Sequence, residues 1–494
     1  MAAVRRSLRG LGGSDAALVA AAATAAVAAL ALFGERRFGA PGLALPLVVG
    51  AALVLFRRPV AAVAVAVALP VLAEGESFGV GPMTALYTDL IRGLTPLDGL
   101  VLFALASVAF DVVRTGRGLR LPAALGLPLG LTALALAAGV VVTQASGAST
   151  TDIFVNGRIV AYLIALPFAI VNLDLSATTV TRLLHGAVAL AIAKAVIGLL
   201  ALGAGISIEI EAGTSLTYYE PTANWLILVA LLGVLGALLT GARPPLWMLL
   251  GTPLMVACLV LSYRRSFWIA AIVGLLLLLL LALATPRGRR VVVPAVALVA
   301  VAIWVLGTLD FQAQTPLVKR VESLNPAQLE TNAQDRYRID ERVNVVAEIR
   351  DHPIAGLGLV EGWSAAARPL PVEHVDGREY VHFALLWWWL KLGLLGAAAY
   401  VAIAAAFVTL AWRTFRRDAS ATLRCFGLAS LCSVAGLLVI ETTATFLGVD
   451  ARFSVLYAAQ LGMLAVAAGI ARPPDAAAAR PGRDEPRESL PLSG

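Results

Sequence analysis

Phe267–Thr285 reads FWIAAIVGLLLLLLLALAT, a run with no charged residue. It is long enough to cross a bilayer as one helix, because about 20 apolar residues at 1.5 Å each match the hydrocarbon core. Working outward, similar runs recur at roughly 16–34, 41–56, 59–73, 97–113, 122–143, 158–173, 184–204, 223–241, 246–262, 291–308, 383–410, 421–441 and 453–471. That makes about fourteen candidate spans, two of them separated only by Arg57 and Arg58. Composition agrees: of 494 residues, 60% are hydrophobic and 14% charged, with a mean hydropathy of +0.86. The expected fold class is an all-α integral membrane protein with about 12–14 transmembrane helices.

The run at 16–34 follows Arg5, Arg6 and Arg9, as a signal peptide would. Phe33-Gly34-Glu35-Arg36 offers no small-x-small cleavage site, so it reads as a retained first helix. With fourteen spans, Arg57/Arg58, Arg114/Arg117/Arg120, Arg243, Arg287/Arg289/Arg290 and Arg413/Arg416/Arg417 fall on the same side as the N-terminal arginines. The excess of basic residues on that side assigns it, and both termini, to the cytoplasm.

A net charge of +7 scattered over loops, with no basic domain interleaved with aromatics, does not point to nucleic acid. Cys258, Cys425 and Cys432 all lie in apolar runs, so neither a disulfide framework nor a cysteine metal site is expected. The sequence has no Walker A loop, no glycine-rich loop after a strand and no Cys/His cluster. Chemistry that needs a nucleotide, a cofactor or a tightly held metal is therefore not expected.

The long polar break divides the chain into 1–308, with about eleven spans, a large extracytoplasmic loop at 309–382, a C-terminal set of about three spans at 383–471, and a tail at 472–494. The tail, rich in Pro, Arg, Ala, Asp and Glu, is expected to be a disordered cytoplasmic extension. Within the loop, Ile339, Val343, Val346 and Ile349 recur at helical spacing, which predicts an amphipathic helix over Arg338–Arg350. Asp351-His352-Pro353 ends it, Gly356 and Gly358 make a turn, and the chain re-enters the membrane at His382 ahead of Trp387-Trp388-Trp389.

The loop side gathers cations and a histidine. Tyr263-Arg264-Arg265-Ser266 is a short turn between two apolar runs, and Arg336 and Arg338 lie at the start of the loop helix beside Asp335 and Asp340. Guanidinium suits bidentate contact with phosphate, and imidazole titrates near neutrality. These residues fit a substrate with a phosphate-bearing head in water and a lipid tail in the bilayer. The arginines would hold a diphosphate leaving group while His382 accepts a hydroxyl proton.

The same residues carry a family resemblance. His382-Phe383, nine further residues and Gly393-Leu394-Leu395-Gly396 resemble the His motif closed by Gly-x-x-Gly of the O-antigen ligase and O-antigen polymerase family. Arg338, the helix after it and His352-Pro353-Ile354-Ala355-Gly356-Leu357-Gly358 are similar to that family's Arg, helix and His-Pro-x-x-Gly-x-Gly series. Ser262-Tyr263-Arg264-Arg265-Ser266-Phe267-Trp268 resembles its Ser-Arg-Gly-x-Trp signature and aligns Arg265 with its arginine. Glu220-Pro221-Thr222-Ala223-Asn224 is similar to its mid-chain Pro and Asn stretch. Phe383 stands where the family has an amide or hydroxyl, and Ser266 where it has glycine.

The resemblance implies a GT-C-like membrane glycosyltransferase in the bacterial plasma membrane, acting on a polyprenyl-diphosphate-linked glycan without a metal and with inversion. It implies His382 as base and Arg265, Arg338 and Arg264 as diphosphate ligands. Glu220 is a weaker candidate for sugar or acceptor, and His352 suits a capping and turn role. Partners would be the donor, a glycan, glycolipid or other acceptor, the bilayer and polysaccharide assembly proteins. Ligase and polymerase both stay open. The competing class is a transporter or flippase of lipid-linked saccharides, which the scarcity of ionisable residues mid-span disfavours. A non-catalytic scaffold leaves the motif-bearing loop without a purpose.

Overall fold

A computed structural model describes residues 45–73, 86–90, 92–211, 214–218, 220–283, 289–290, 333–370, 377–416 and 420–470. The expected spans at 16–34 and 291–308, the first part of the loop and the C-terminal tail lie outside the described residues. In chain order the helices are α1 (Leu45–Phe56), α2 (Pro59–Leu72), α3 (Pro96–Thr115), α4 (Ala123–Ala145), α5 (Thr150–Val171), α6 (Ala177–Gly203), α7 (Pro221–Thr240), α8 (Leu246–Val260), α9 (Arg265–Leu283), α10 (Ala333–Asp351), α11 (Ala384–Arg416), α12 (Ala421–Ile440) and α13 (Ala451–Ile470). A small antiparallel hairpin, β1 (Ile208–Glu211) with β2 (Thr214–Leu216), lies between α6 and α7.

Nine of the described helices are long and apolar enough to cross a membrane: α3, α4, α5, α6, α7, α9, α11, α12 and α13. The chain is a multi-pass, all-α integral membrane protein. One expectation is corrected: the runs at 41–56 and 59–73 are not two straight spans, because the chain bends by 120° at Arg57–Arg58. The run at 246–262 forms the 15-residue α8, which returns the chain to the level where α7 began, with Thr217 N–H donating to the Leu261 carbonyl at 3.0 Å.

The described residues fall into two units, one holding those up to Val63 with Leu102–Arg117, the other Ala64–Val101 with those from Gly118 onward. In the first, Phe56 packs on Phe103 and Phe110, and Ser107 donates to the Phe56 carbonyl at 2.6 Å. The second contains every candidate site residue. Its centre is α7 and α13, each 78% buried, with α12 at 67%, whereas α6 and α9 are only 28% buried and turn Leu200, Leu275 and Leu280 outward. Small residues allow the close approaches: a Cβ on Gly436 of α12 would lie 2.6 Å from the Ala270 carbonyl of α9. Helix starts are set by local chemistry, with Ser149, Ser176 and Ser420 accepting the backbone N–H three residues on. Pro221 occupies the first turn of α7, and Gly241 ends it at φ 82°.

The loop is locked to α11 by its glycines. At Gly393 (φ 66°, ψ −161°) α11 breaks, which leaves carbonyls of the preceding turn without their usual partners. The chain after α10 supplies them: Leu357 N–H donates to the Leu390 carbonyl at 2.6 Å and Gly358 N–H to that of Lys391 at 3.1 Å. In return Leu394 N–H donates to the Ile354 carbonyl at 3.1 Å. A Cβ at Gly356 would sit 2.6 Å from the Gly393 nitrogen, and one at Gly393 would run into the Ile354 carbonyl. The two glycine motifs are thus halves of one backbone contact. Leu359 N–H extends it by donating to Thr143 Oγ of α4 at 2.7 Å.

Candidate functional site

Helix α10 does not lie as its apolar stripe suggests. Ile339 and Val343 are exposed, while Tyr337, Asp340, Glu341, Asn344 and Val345 are buried. Those polar residues find partners in the chain that follows. Asp340 accepts from the Arg368 guanidinium at 2.9 Å, and Asn344 exchanges two hydrogen bonds of 2.8 Å with the Arg368 backbone. A buried polar face is tolerable because its groups are paired.

Glu341 is the centre of the site and was not among the expected residues. Fully buried, it accepts the His382 backbone N–H at 2.9 Å, and both of its oxygens lie 3.1 Å from His382 Nδ1. The His382 ring is buried edge-on to Tyr380 at 4.8 Å and to Tyr337 at 5.9 Å. Burial pushes the Tyr380 phenol well above its ordinary value, so it stands as a neutral wall.

Nearly two turns back on α10, Asp335 lies between two arginines. Arg338 donates to it at 3.0 Å, and Arg265, at the start of α9, approaches the same oxygen at 3.6 Å. The structure therefore brings Arg265 of α9 to Arg338 of α10, the helix that also holds Glu341 against His382. Arg264 is placed over the Phe446 ring at 6.0 Å, and Phe446 packs on Phe267 and Phe453.

Glu220 belongs to an adjacent cluster. It lies 3.8 Å from Arg452, which also pairs with Asp450 at 3.2 Å and sits over the Tyr87 ring at 5.1 Å. Aromatic packing connects this cluster to the arginine side of the site, since Phe453, next to Arg452 in the chain, packs on Phe446 beneath Arg264. His352 caps the end of α10: its N–H donates to Glu348 and its carbonyl accepts from Gly356.

The remaining walls come from the segment after α12, which sequence reading missed. Thr445 Oγ donates to the Val381 carbonyl at 2.5 Å, Tyr380 and Thr445 exchange hydrogen bonds of 2.9 and 3.2 Å, and Ala384 N–H donates to the Glu441 carbonyl at 2.9 Å. Arg342, next to Glu341, donates to the Thr442 carbonyl and lies 5.3 Å over the Phe383 ring. Among the described residues no three His, Cys, Asp or Glu side chains converge as a metal site.

A buried histidine–carboxylate pair beside paired arginines, at one end of a helical bundle, defines a class: an integral membrane protein with a polar site built where its loop meets the bundle. Residues 250–401, from α8 through α9, α10 and into α11, match the Wzy_C family, described as O-antigen ligase. That match covers less than half of the chain and supports the resemblance of this part to the O-antigen ligase and O-antigen polymerase family, and with it a role in membrane glycosyl transfer during polysaccharide assembly. The matched segment contains Arg265, Arg338, His382 and both glycine motifs, but not Glu220 or Arg452. No curated protein matches the chain.

Proposed function

We propose that the protein transfers a glycan from a polyprenyl-diphosphate donor to an acceptor hydroxyl at the extracytoplasmic face of the bacterial plasma membrane. The observation that carries this reading is the buried Glu341–His382 pair on the same helix as the Arg265–Asp335–Arg338 cluster. Glu341 accepts Nδ1–H and so fixes the tautomer that presents Nε2 as the base. His382 takes the acceptor hydroxyl proton at Nε2, and the oxygen attacks the anomeric carbon from the face opposite the diphosphate. The bond to the diphosphate oxygen breaks and the electron pair leaves with the lipid diphosphate. Arg265 and Arg338, with Arg264, stabilise that developing charge. The product is inverted at the anomeric carbon, and the charge is met by guanidinium without a required metal. Glu220, with Arg452 behind it, is the carboxylate proposed to meet sugar hydroxyls. Both termini lie in the cytoplasm, and polysaccharide assembly proteins are the expected protein partners.

The test is a reconstituted assay with purified protein, lipid-diphosphate oligosaccharide and candidate acceptors. Wild type is expected to form glycosidic product, with His382→Ala and Arg265→Ala both deficient. Movement of labelled lipid across the bilayer without product would favour the flippase reading. Undiminished product from His382→Ala would remove the base assignment and leave the transferase reading standing. Cysteine labelling at position 377 tests the side: reaction from the cytoplasm would overturn the topology.

A further inference from the structure

Consecutive residues of α10 grip consecutive residues of the returning chain: Glu341 holds His382, and Arg342 lies over Phe383. The neighbouring arginines of this site have carboxylate partners: Arg336 approaches Asp340 at 3.9 Å, and Arg338 and Arg265 share the single carboxylate of Asp335. Arg342 has no carboxylate partner among the described residues. Its guanidinium is held by the Phe383 ring and the Thr442 carbonyl, both uncharged, and its Nε is buried with no hydrogen bond among the described residues.

We propose that Arg342 is an acceptor-selecting residue, and that the acceptor carries an anionic group, a carboxylate or a phosphate, close to the hydroxyl that is glycosylated. This rests on the transferase reading above. Along α10, Arg342 lies one turn, about 6 Å, beyond Arg338 on the same helix face, and its guanidinium lies over Phe383, the residue that follows the base. Nucleophile and leaving group are opposed across the anomeric carbon during an inverting displacement. The base takes the acceptor's proton, so a cation seated on the base's chain neighbour lies on the acceptor's side, one helix turn from the arginines assigned to the leaving group. The aromatic ring and carbonyl hold the guanidinium fork in place without cancelling its charge, which leaves a preorganised bidentate donor for an oxyanion. Phe383, in place of the family's amide or hydroxyl, gives up a direct hydrogen bond to the acceptor and supplies the surface that positions this charge.

The experiment compares three matched acceptors, a neutral hexose-terminated oligosaccharide, its uronate and its 6-phosphate, using the full chain in liposomes with the lipid-diphosphate donor. Wild type is expected to prefer an anionic acceptor by about tenfold in kcat/KM, the scale of one charge-assisted hydrogen bond. Arg342→Gln should lose that preference with the donor KM unchanged, and Arg342→Lys should keep part of it. Equal use of all three acceptors by wild type overturns the proposal and leaves the transferase reading intact. A raised donor KM in Arg342→Gln with acceptor preference retained also overturns it, because the cation then serves the diphosphate. Failure of wild type to glycosylate any acceptor overturns the transferase reading itself. If Arg342→Gln does not fold, Arg342→Lys decides: a full wild-type preference with an altered donor KM counts against acceptor recognition.

Discussion

Two buried carboxylates in this protein have opposite surroundings. Asp98, in the first turn of α3, accepts Thr95 N–H at 2.7 Å, Thr95 Oγ at 2.9 Å and Arg158 at 2.7 Å, and also the Tyr162 hydroxyl. Thr95 and Asp98 form a reciprocal helix cap, and Arg158 and Tyr162 project from one face of α5. Its charge is cancelled and its oxygens are saturated by groups that hold their protons. Glu341 is at least as buried, yet among the described residues it spends its oxygens on a single residue whose side chain can take and return a proton. Burial and pairing alone therefore do not mark chemistry; the kind of partner does.

The distinction predicts opposite phenotypes. His382→Ala should lower turnover per folded molecule by about 10³-fold, the range of a positioned general base, with Glu341 still held by the backbone N–H of residue 382. Asp98→Ala should do the reverse, because it strands the Arg158 charge. A loss of about 3–5 kcal/mol is expected, seen as a lower midpoint, with turnover per folded molecule retained. A well-folded Asp98→Ala protein without activity would erase the difference between the two carboxylates.

Glu341→Gln probes the pair from its other side. Orienting partners of this kind typically contribute about 10–100-fold, so kcat should fall by that much with donor KM unchanged. Glu341→Asp should recover part of the loss. A purely structural carboxylate would instead reduce the folded yield and leave kcat of the folded fraction unaltered.

Much of the fold was readable because a bilayer imposes a length: nine described helices coincide with apolar runs of about 20 residues. Arg265, Arg338 and His382 were readable through motif spacing. The glycines were visible too, but not that Gly356 and Gly393 touch, which needs the broken α11. Glu341 was hidden because α10 was read by its apolar stripe, and Ile339 and Val343 in that stripe are exposed. Its partner is 41 residues away, so no local pattern records the pair. The dense run Arg338-Ile339-Asp340-Glu341-Arg342 was the available signal: so many charges in one amphipathic helix require either solvent or buried partners. Glu441 was absorbed into the apolar run at 421–441, although it ends the helix and starts the segment that clasps Val381 and Ala384.

Glu441 extends the comparison to a third buried carboxylate, one with neither a cation nor an imidazole among its partners in the described residues. Its side chain accepts Phe446 N–H at 3.1 Å, Leu447 N–H at 3.2 Å and the Tyr400 hydroxyl at 3.4 Å. Burial dominates these bonds and pushes its carboxyl from the ordinary 4.5 up to about 8. The unfolded chain loses this proton near the ordinary value and the folded chain near the raised one. Between them the folded state binds more protons, so the stabilising contribution is complete below about pH 4.5 and is lost as pH rises through about 8. The thermal midpoint of wild type should fall across that window, and Glu441→Gln, which keeps a neutral side chain, should flatten the curve. Parallel pH curves for the two proteins would show that burial does not hold the proton on Glu441, and would overturn its assignment as a neutral buried acid. If the wild-type decline is found, its consequence reaches the site. Glu441 fixes the segment whose Thr445 holds Val381, so its ionisation in the folded protein should loosen the chain that carries His382, and turnover should decline as pH rises through about 8.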